Sequence, residues 1–167
     1  MTVVSDTSPL NYLVLIEQAG VLPRLYGRVL IPRSVHAELS APETPAPVRA
    51  WVGDLPGWVE ISNDPPAADE SLGHLHAGER DAISLALRSG AGALLVDERR
   101  GREEAEKRGV KVIGTLGVLV AAYEDGLLDL TEALGRLRRT TFHVSPKLLA
   151  AILQKYRGAE RAGGEGG

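Results

Sequence analysis

The chain contains no cysteine and few aromatic residues. Its 167 residues are 44% hydrophobic, but only 4% are Phe, Trp or Tyr. The absence of cysteine excludes disulfides, thiolate zinc sites and a cysteine nucleophile, and it is typical of a protein in a reducing compartment. Because aromatic side chains are scarce, the core has to be aliphatic. A chain of this length can bury such a core in one domain.

Long hydrophobic runs and an excess of positive charge are also missing. No apolar run approaches the roughly 20 residues that a transmembrane helix needs. The sequence opens on a strand pattern and not on a signal peptide, so we expect a cytoplasmic protein without membrane contact. The net charge is −3, from 19 basic and 22 acidic residues. This balance is not typical of a protein that coats nucleic acid, and any contact with RNA has to be local.

Apolar patterns predict strands that alternate with helices. Short apolar runs predict the strands 3–5, 29–32, 58–61, 93–96 and 110–113. Helical spacing predicts the intervening helices, among them one over 8–20 and one over 77–88. This alternation predicts a Rossmann-like, three-layer α/β/α fold with a central, mainly parallel sheet. We expect a single domain over residues 1–157 and a disordered glycine-rich tail over 158–167.

Four carboxylates are placed where such a sheet gathers side chains. Asp6 and Asp97 each end an apolar strand, and ligands of doubly wound sheets bind beyond the carboxyl ends of the strands. Glu38 and Asp81 lie on helices that follow other strands. Carboxylates at one sheet edge suit a hard divalent ion such as Mg²⁺, which prefers oxygen ligands. The chemistry that we predict is phosphodiester hydrolysis by metal-activated water.

Each of these acids also has an ordinary structural interpretation. Asp6 and Asp97 occupy strand-to-helix junctions, where Asp often caps a helix or stabilises a turn. Glu38 fits an exposed helix position, and Asp81 fits solvated charge near a helix start. Their joint placement, more than any single spacing, favours a common site.

Hydroxyl and basic side chains accompany the acids. Ser8 or Thr7, which follow Asp6 directly, could orient its carboxylate or hold a metal-bound water. Arg99 and Arg102 follow Asp97 and are candidates for contact with RNA phosphates. The alternative for these arginines is an exposed helix face on which they pair with nearby glutamates such as Glu103.

Five segments carry a resemblance to a known family. They are VSDTSPL (4–10), IPRSVHAEL (31–39), GERDAISLA (78–86), LLVDERRGR (94–102) and GTLGVL (114–119). In this order they resemble the PIN domain family, specifically its prokaryotic branch of VapC-type toxin ribonucleases. The resemblance extends from about residue 2 to residue 156.

The resemblance implies a Mg²⁺- or Mn²⁺-dependent ribonuclease acting on single-stranded RNA. Ser8 matches a small hydroxyl residue that supports the first Asp, and Glu98 matches a position that is often a second acid. Members of this group commonly form homodimers, and a cognate antitoxin holds the toxins inactive. The family's acidic positions fall on Asp6, Glu38, Asp81 and Asp97.

The third acidic position has two candidates. Glu79 and Asp81 are two residues apart, so they do not share a helix face. We select Asp81 because it lies further along the helix, just before the apolar stripe of Ile83 and Leu87.

Two other functions remain open at this point. A receiver-like phosphotransfer domain would use Asp97 as phosphoacceptor, but it needs a second acid at the first strand end and a lysine at a late strand end. Here Asp6 is followed by Thr7 and Ser8 and not by a second acid, and Lys111 lies inside or before its strand. The Asp-x-Asp nucleophile of a phosphatase is absent as well, because position 8 is Ser. The other alternative is a catalytically silent PIN-like module that binds RNA or protein, which the presence of all four acids disfavours.

Overall fold

The computed structural model of the chain describes residues 1–65 and 68–164, with side chains up to residue 156. In this part of the chain the strands are β1 Thr2–Ser5, β2 Arg28–Ile31, β3 Val59–Ile61, β4 Ala93–Leu95 and β5 Val112–Ile113. The helices are α1 Thr7–Leu15, α2 Val21–Tyr26, α3 Arg33–Leu39, α4 Ala46–Gly53, α5 Ala77–Ser89, α6 Arg99–Lys107, α7 Thr115–Glu124, α8 Leu130–Arg138 and α9 Pro146–Gly164. A 3-10 helix, Glu70–Leu72, precedes α5.

The strands form a parallel sheet in the order β3-β2-β1-β4-β5. The chain builds outward from β1 to β3, returns to the other side of β1 as β4, and continues to β5. Strands β1 and β4 are neighbours, with Val3 paired to Ala93 and Ser5 paired to Leu95. The predicted three-layer α/β/α fold with a parallel sheet is confirmed.

Side chains of the sheet alternate between two hydrophobic cores. Val3 belongs to a core that contains Leu10 of α1, and this core is covered by α7 and α8 as well. Val4 belongs to a second core, which contains Ile83 of α5 and Ala105 of α6. The helices that follow β1 and β4 therefore pack on opposite faces of the sheet. A crevice opens between them beyond the strand ends, at the position where doubly wound folds bind ligands.

The first helix is shorter than the sequence predicts. Instead of one helix over 8–20, the structure has α1 followed by the separate helix α2, which we did not predict. Glu17 adopts a φ of 59°, in the left-handed region that ends a helix. The N–H of Gln18 then donates to the carbonyl of Leu13 at 2.8 Å, closing the turn. The apolar residues of α2, such as Val21, continue the helical spacing, so periodicity alone does not reveal the break.

The last helix extends beyond the predicted domain boundary. The expected disordered tail over 158–167 falls in part on α9, whose backbone continues to Gly164. Residues 165–167 lie outside the described residues. Neither α9 nor any other helix in 1–65 and 68–164 has the length and apolar character needed to span a membrane.

Candidate functional site

Asp6 lies in the crevice between β1 and β4. It follows β1 directly in an extended conformation, and its N–H donates to the carbonyl of Leu95 at 2.9 Å, which ties it to β4. The residue is only 4% exposed. The pKa of the carboxyl group is raised to about 7, first by burial and then by the charges of Glu79, Glu38 and Asp97, while the hydrogen bond from the Thr7 N–H lowers it. Asp6 is thus held, largely out of water, beside other acids.

Glu38 reaches the same crevice from the last turn of α3. The Thr7 hydroxyl donates to its Oε2. Its carboxylate lies over Gly78 of α5, where an added Cβ would be 2.7 Å from Oε1. A glycine at this position therefore leaves the space that the Glu38 carboxylate occupies.

Glu79 joins the group from the first turn of α5. It is only 6% exposed. Burial raises the pKa of its carboxyl group, and so do the charges of Glu98 and Glu38, while His76 lowers it. Its Oε2 lies 2.8 Å from where a Cβ on Gly101 of α6 would stand. Two glycines, on α5 and on α6, thus make room for two of the clustered carboxylates.

Asp97 is fixed by three hydrogen bonds just past the end of β4. Its Oδ1 accepts from the N–H of Thr115 at 2.7 Å, which caps the start of α7. Its Oδ2 accepts from the hydroxyls of Thr115 at 2.7 Å and Ser8 at 3.0 Å. We expected Ser8 to orient Asp6; its hydroxyl instead contacts Asp97. The Asp97 carboxylate therefore connects α1 and α7 as well as facing the crevice.

Asp81 lies apart from the other acids. Its Oδ2 accepts from the Ser34 hydroxyl at 2.7 Å, and its Oδ1 is 3.4 Å from Nε of Arg80. It lines a separate hollow of about 300 Å³ that also contains Arg33 and Arg88. Two helix residues amount to a rotation of about 200°, and this rotation directs Glu79 toward the crevice and Asp81 away from it. The structure thus groups Glu79, not the predicted Asp81, with Asp6 and Glu38.

The clustered acids line a hollow of about 480 Å³, which we call the acidic hollow. Its carboxylates are those of Asp6, Glu38, Glu79 and Glu98. Within the described residues, no three acidic or histidine side chains are grouped closely enough to hold a metal ion as they stand. The donor set is nonetheless carboxylate oxygen, which hard divalent ions prefer. Burial and the charges of neighbouring carboxylates raise the pKa values of Asp6 and Glu79, and a divalent cation relieves such repulsion between carboxylates.

A larger groove of about 880 Å³ adjoins the acidic hollow, and the two share Ser8, Tyr12 and Glu98. We call it the aromatic groove, because Tyr12 and Phe142 both line it. Its other walls come from the end of β5, the start of α7, the segment between α8 and α9, and α9 itself. Sequence reasoning did not predict this groove, because its walls are far apart in the chain.

Arg102 and Arg99 line the aromatic groove in different ways. Arg102 is half-buried, with Nη1 2.8 Å from where a Cβ on Gly114 would stand. Its guanidinium forms no hydrogen bond or ion pair with any residue in the part of the chain that the structure describes. The side chain of Arg99 is 92% exposed and pairs with Glu103 at 2.9 Å. Arg102 is therefore the better placed of the two to bind an anion beside the acids.

Fold and site together define a class of protein, a doubly wound α/β domain with buried acids at its switch point. Residues 2–157 match the family model DUF3368, a PIN domain. The chain belongs to this PIN domain family. Because PIN domains are generally nucleases, membership supports a nuclease and thus a hydrolase.

A solved structure similar to this chain is that of a PilT N-terminus domain protein from the hyperthermophilic archaeon Sulfolobus solfataricus P2. The two are 16% identical, the match covers 87% of this chain and 100% of that chain, and the TM-score is 0.45. No curated protein matches the chain.

Proposed function

We propose that the protein is a metal-dependent endoribonuclease that hydrolyses phosphodiester bonds in single-stranded RNA. The observation that carries the proposal is the position of Asp6. It is buried at the switch point of the sheet, with its pKa raised to about 7 by burial and by Glu79, Glu38 and Asp97. Carboxylates that repel one another in this way favour a divalent cation.

Mg²⁺ or Mn²⁺ is the cofactor that suits these oxygens, and Asp6, Glu38 and Glu79 are the residues that would hold it. When bound, the ion lowers the pKa of a water molecule and stabilises charge on the scissile phosphate. Thr7 orients Glu38, and Ser8 with Thr115 orients Asp97. Relative to the predicted set of Asp6, Glu38, Asp81 and Asp97, Glu79 takes the place of Asp81, and Asp97 is no longer among the residues that would hold the ion.

Asp6→Asn tests this proposal because it keeps the size of the side chain and removes its charge. We expect RNA cleavage in Mn²⁺ to fall by at least about 100-fold, since even groups that only orient metal ligands cost 10- to 100-fold when replaced. Purified wild type and variant are incubated with single-stranded RNA, with Mn²⁺ and with EDTA. Full cleavage by the variant, or equal cleavage by the wild type in EDTA, refutes the assignment.

Arg102 supplies the proposed contact to an RNA phosphate near the acids. We expect Arg102→Gln to weaken RNA binding and to reduce the salt dependence of log Kd by about one unit of slope. Arg24→Gln is the matched control, because Arg24 is exposed near the end of α2, which leads into the amino-terminal end of β2, whereas the crevice lies beyond the carboxyl ends of the strands. Equal losses for the two variants at several salt concentrations would remove Arg102 from the site.

A catalytically silent PIN-like module is the second candidate. It is favoured by the lack, among the described residues, of three acids grouped tightly enough to hold an ion. Calorimetry with Mn²⁺ at neutral pH separates the two, because only the nuclease requires binding. The receiver-like alternative is weaker still, since both oxygens of Asp97 already accept hydrogen bonds from Thr115 or Ser8.

The narrower role of a VapC-like toxin with a cognate antitoxin stays a prediction, supported by the sequence resemblance. Induced expression in a bacterial host tests it. We expect growth arrest with the wild type and normal growth with Asp6→Asn. The predicted homodimer is tested separately, by the mass of the purified protein in solution.

A further inference from the structure

We infer that the aromatic groove binds one unpaired nucleobase of the RNA, next to the phosphate that is cleaved over the acidic hollow. The inference rests on the proposed ribonuclease function and adds a substrate subsite to it. Three features carry it: an ordered aromatic ring, an apolar surface around that ring, and a cation that lines the groove together with Asp97 and Glu98.

The ring of Phe142 is held in place before any ligand binds. Its centroid is 5.0 Å from that of Tyr12, with the ring planes at 80°. Its backbone N–H donates to the Thr140 hydroxyl at 3.1 Å, and the hydroxyl groups of Tyr12 and Thr141 are 3.0 Å apart. These contacts fix the segment between α8 and α9 against α1. A ring that is already ordered loses little conformational entropy when a base stacks on it.

The surface around Phe142 is apolar and open. Ile113 and Leu116 line the groove, together with Leu148 and Ile152 of α9. Leu148 is 48% exposed, one of three large hydrophobic side chains among the described residues that are exposed. The volume of about 880 Å³ is within the range of sites for small organic ligands. Such a slot suits the flat face of a base.

Arg102 lines the same groove as Phe142, together with Asp97 and Glu98, and Glu98 also lines the acidic hollow. The guanidinium of Arg102 lies against Gly114, and Oδ1 of Asp97 is 3.2 Å from the same Cβ position on that glycine. A nucleotide presents a base and a phosphate on one sugar, so it needs an apolar slot with a cation close by. The base has to be unpaired to enter, because bases in a duplex are stacked and paired. Stacking on an aromatic ring tolerates any base, so we expect little sequence preference at this position.

A double-mutant cycle between protein and RNA tests the base site. The protein change is Phe142→Leu, which keeps apolar bulk and removes the ring. The RNA change is one abasic nucleotide, moved along a short mixed-sequence oligonucleotide. Affinities are measured by fluorescence anisotropy in Mn²⁺, in an Asp6→Asn background that we expect to bind without cutting. Tyr156→Leu is the control, since Tyr156 also pairs edge-on with another ring, at 5.4 Å from Tyr123, but does not line the groove.

We expect Phe142→Leu to raise Kd about 5- to 150-fold, the range for loss of one stacked base. One abasic position should cost a similar factor in the parent and almost nothing further in Phe142→Leu. Phe142→Trp should restore sensitivity to that position, and Tyr156→Leu should leave it intact. As a check that does not depend on how the variants fold, 2-aminopurine at that position should be quenched on binding to the protein with Phe142 intact.

The base site would be overturned if the increases in Kd from Phe142→Leu and from the abasic nucleotide simply multiplied at every position, which would show that the two changes act independently. It would also be overturned if 2-aminopurine remained unquenched throughout the oligonucleotide. A groove that serves a peptide partner gives the same result. If the wild type still cleaves the RNA in that case, the ribonuclease stands and only the subsite is rejected. If the wild type neither binds nor cleaves RNA, both fail.

Discussion

At the scale of single residues, the clustered acids of the crevice destabilise the metal-free protein when they are ionised. Asp6 is buried beside Glu79, Glu38 and Asp97, and its pKa rises from 3.8 to about 7. The folded protein thus retains this proton up to neutral pH, whereas the unfolded chain releases it near pH 4. Between these values the folded state binds more protons, so this group makes the protein less stable as pH rises.

Asp6→Asn should therefore stabilise the metal-free protein, and more so at high pH. From pH 5 to pH 8 the gain over wild type should grow by on the order of 2–3 kcal/mol in the free energy of unfolding. Urea unfolding in EDTA at both pH values measures it. Glu79, whose pKa is also raised, remains in both proteins, so the difference reports mainly on Asp6. A gain that does not change with pH would show that Asp6 is not buried among charged neighbours.

At the scale of the elements, the packing of α5 determines whether Glu79 or Asp81 lies in the acidic hollow. Glu79 and Asp81 are both buried, at 6% and 7% exposure, and each is followed four residues later by a buried apolar residue, Ile83 or Leu85. Helical periodicity therefore does not choose between them. Which of the two acids faces the acidic hollow depends on how α5 packs against α3 and α6. This is tertiary packing, which the sequence pattern does not reveal. Asp6, by contrast, was predictable because the end of β1 fixes it.

Gly78→Ala tests the close approach of α3 and α5. An added Cβ would displace the Glu38 carboxylate, which is only 2.7 Å from that position. Because the displaced atoms end a flexible side chain, we expect stability to stay level or to rise by up to about 1 kcal/mol. Cleavage should fall about 10- to 100-fold, the cost of small misplacements in an active site.

Gly135→Ala in α8 is the matched control for this substitution. It also replaces a helical glycine, and nothing lies within 4 Å of the added Cβ. It should retain wild-type cleavage while gaining similar helix stability. Thermal melts and cleavage rates of both variants are compared. Normal cleavage by Gly78→Ala would show that Glu38 is not part of the proposed active site.

At the scale of the whole molecule, strand order creates the site. The parallel sheet was predictable from alternating strand and helix patterns, and with it the placement of Asp6 and Asp97 near one edge. The aromatic groove was not predictable, because it joins Tyr12 of α1 to Phe142, which lies in a segment without regular structure. Contacts between segments so distant in sequence leave no local pattern.

The most direct test of the account compares Glu79→Gln with Asp81→Asn in Mn²⁺-dependent cleavage of single-stranded RNA. Each substitution removes one buried charge from α5, and Asn at position 81 still accepts the Ser34 hydrogen bond. The account predicts a loss of at least about 10-fold for Glu79→Gln and a rate near wild type for Asp81→Asn. The reverse result, with Asp81→Asn inactive and Glu79→Gln active, would contradict it.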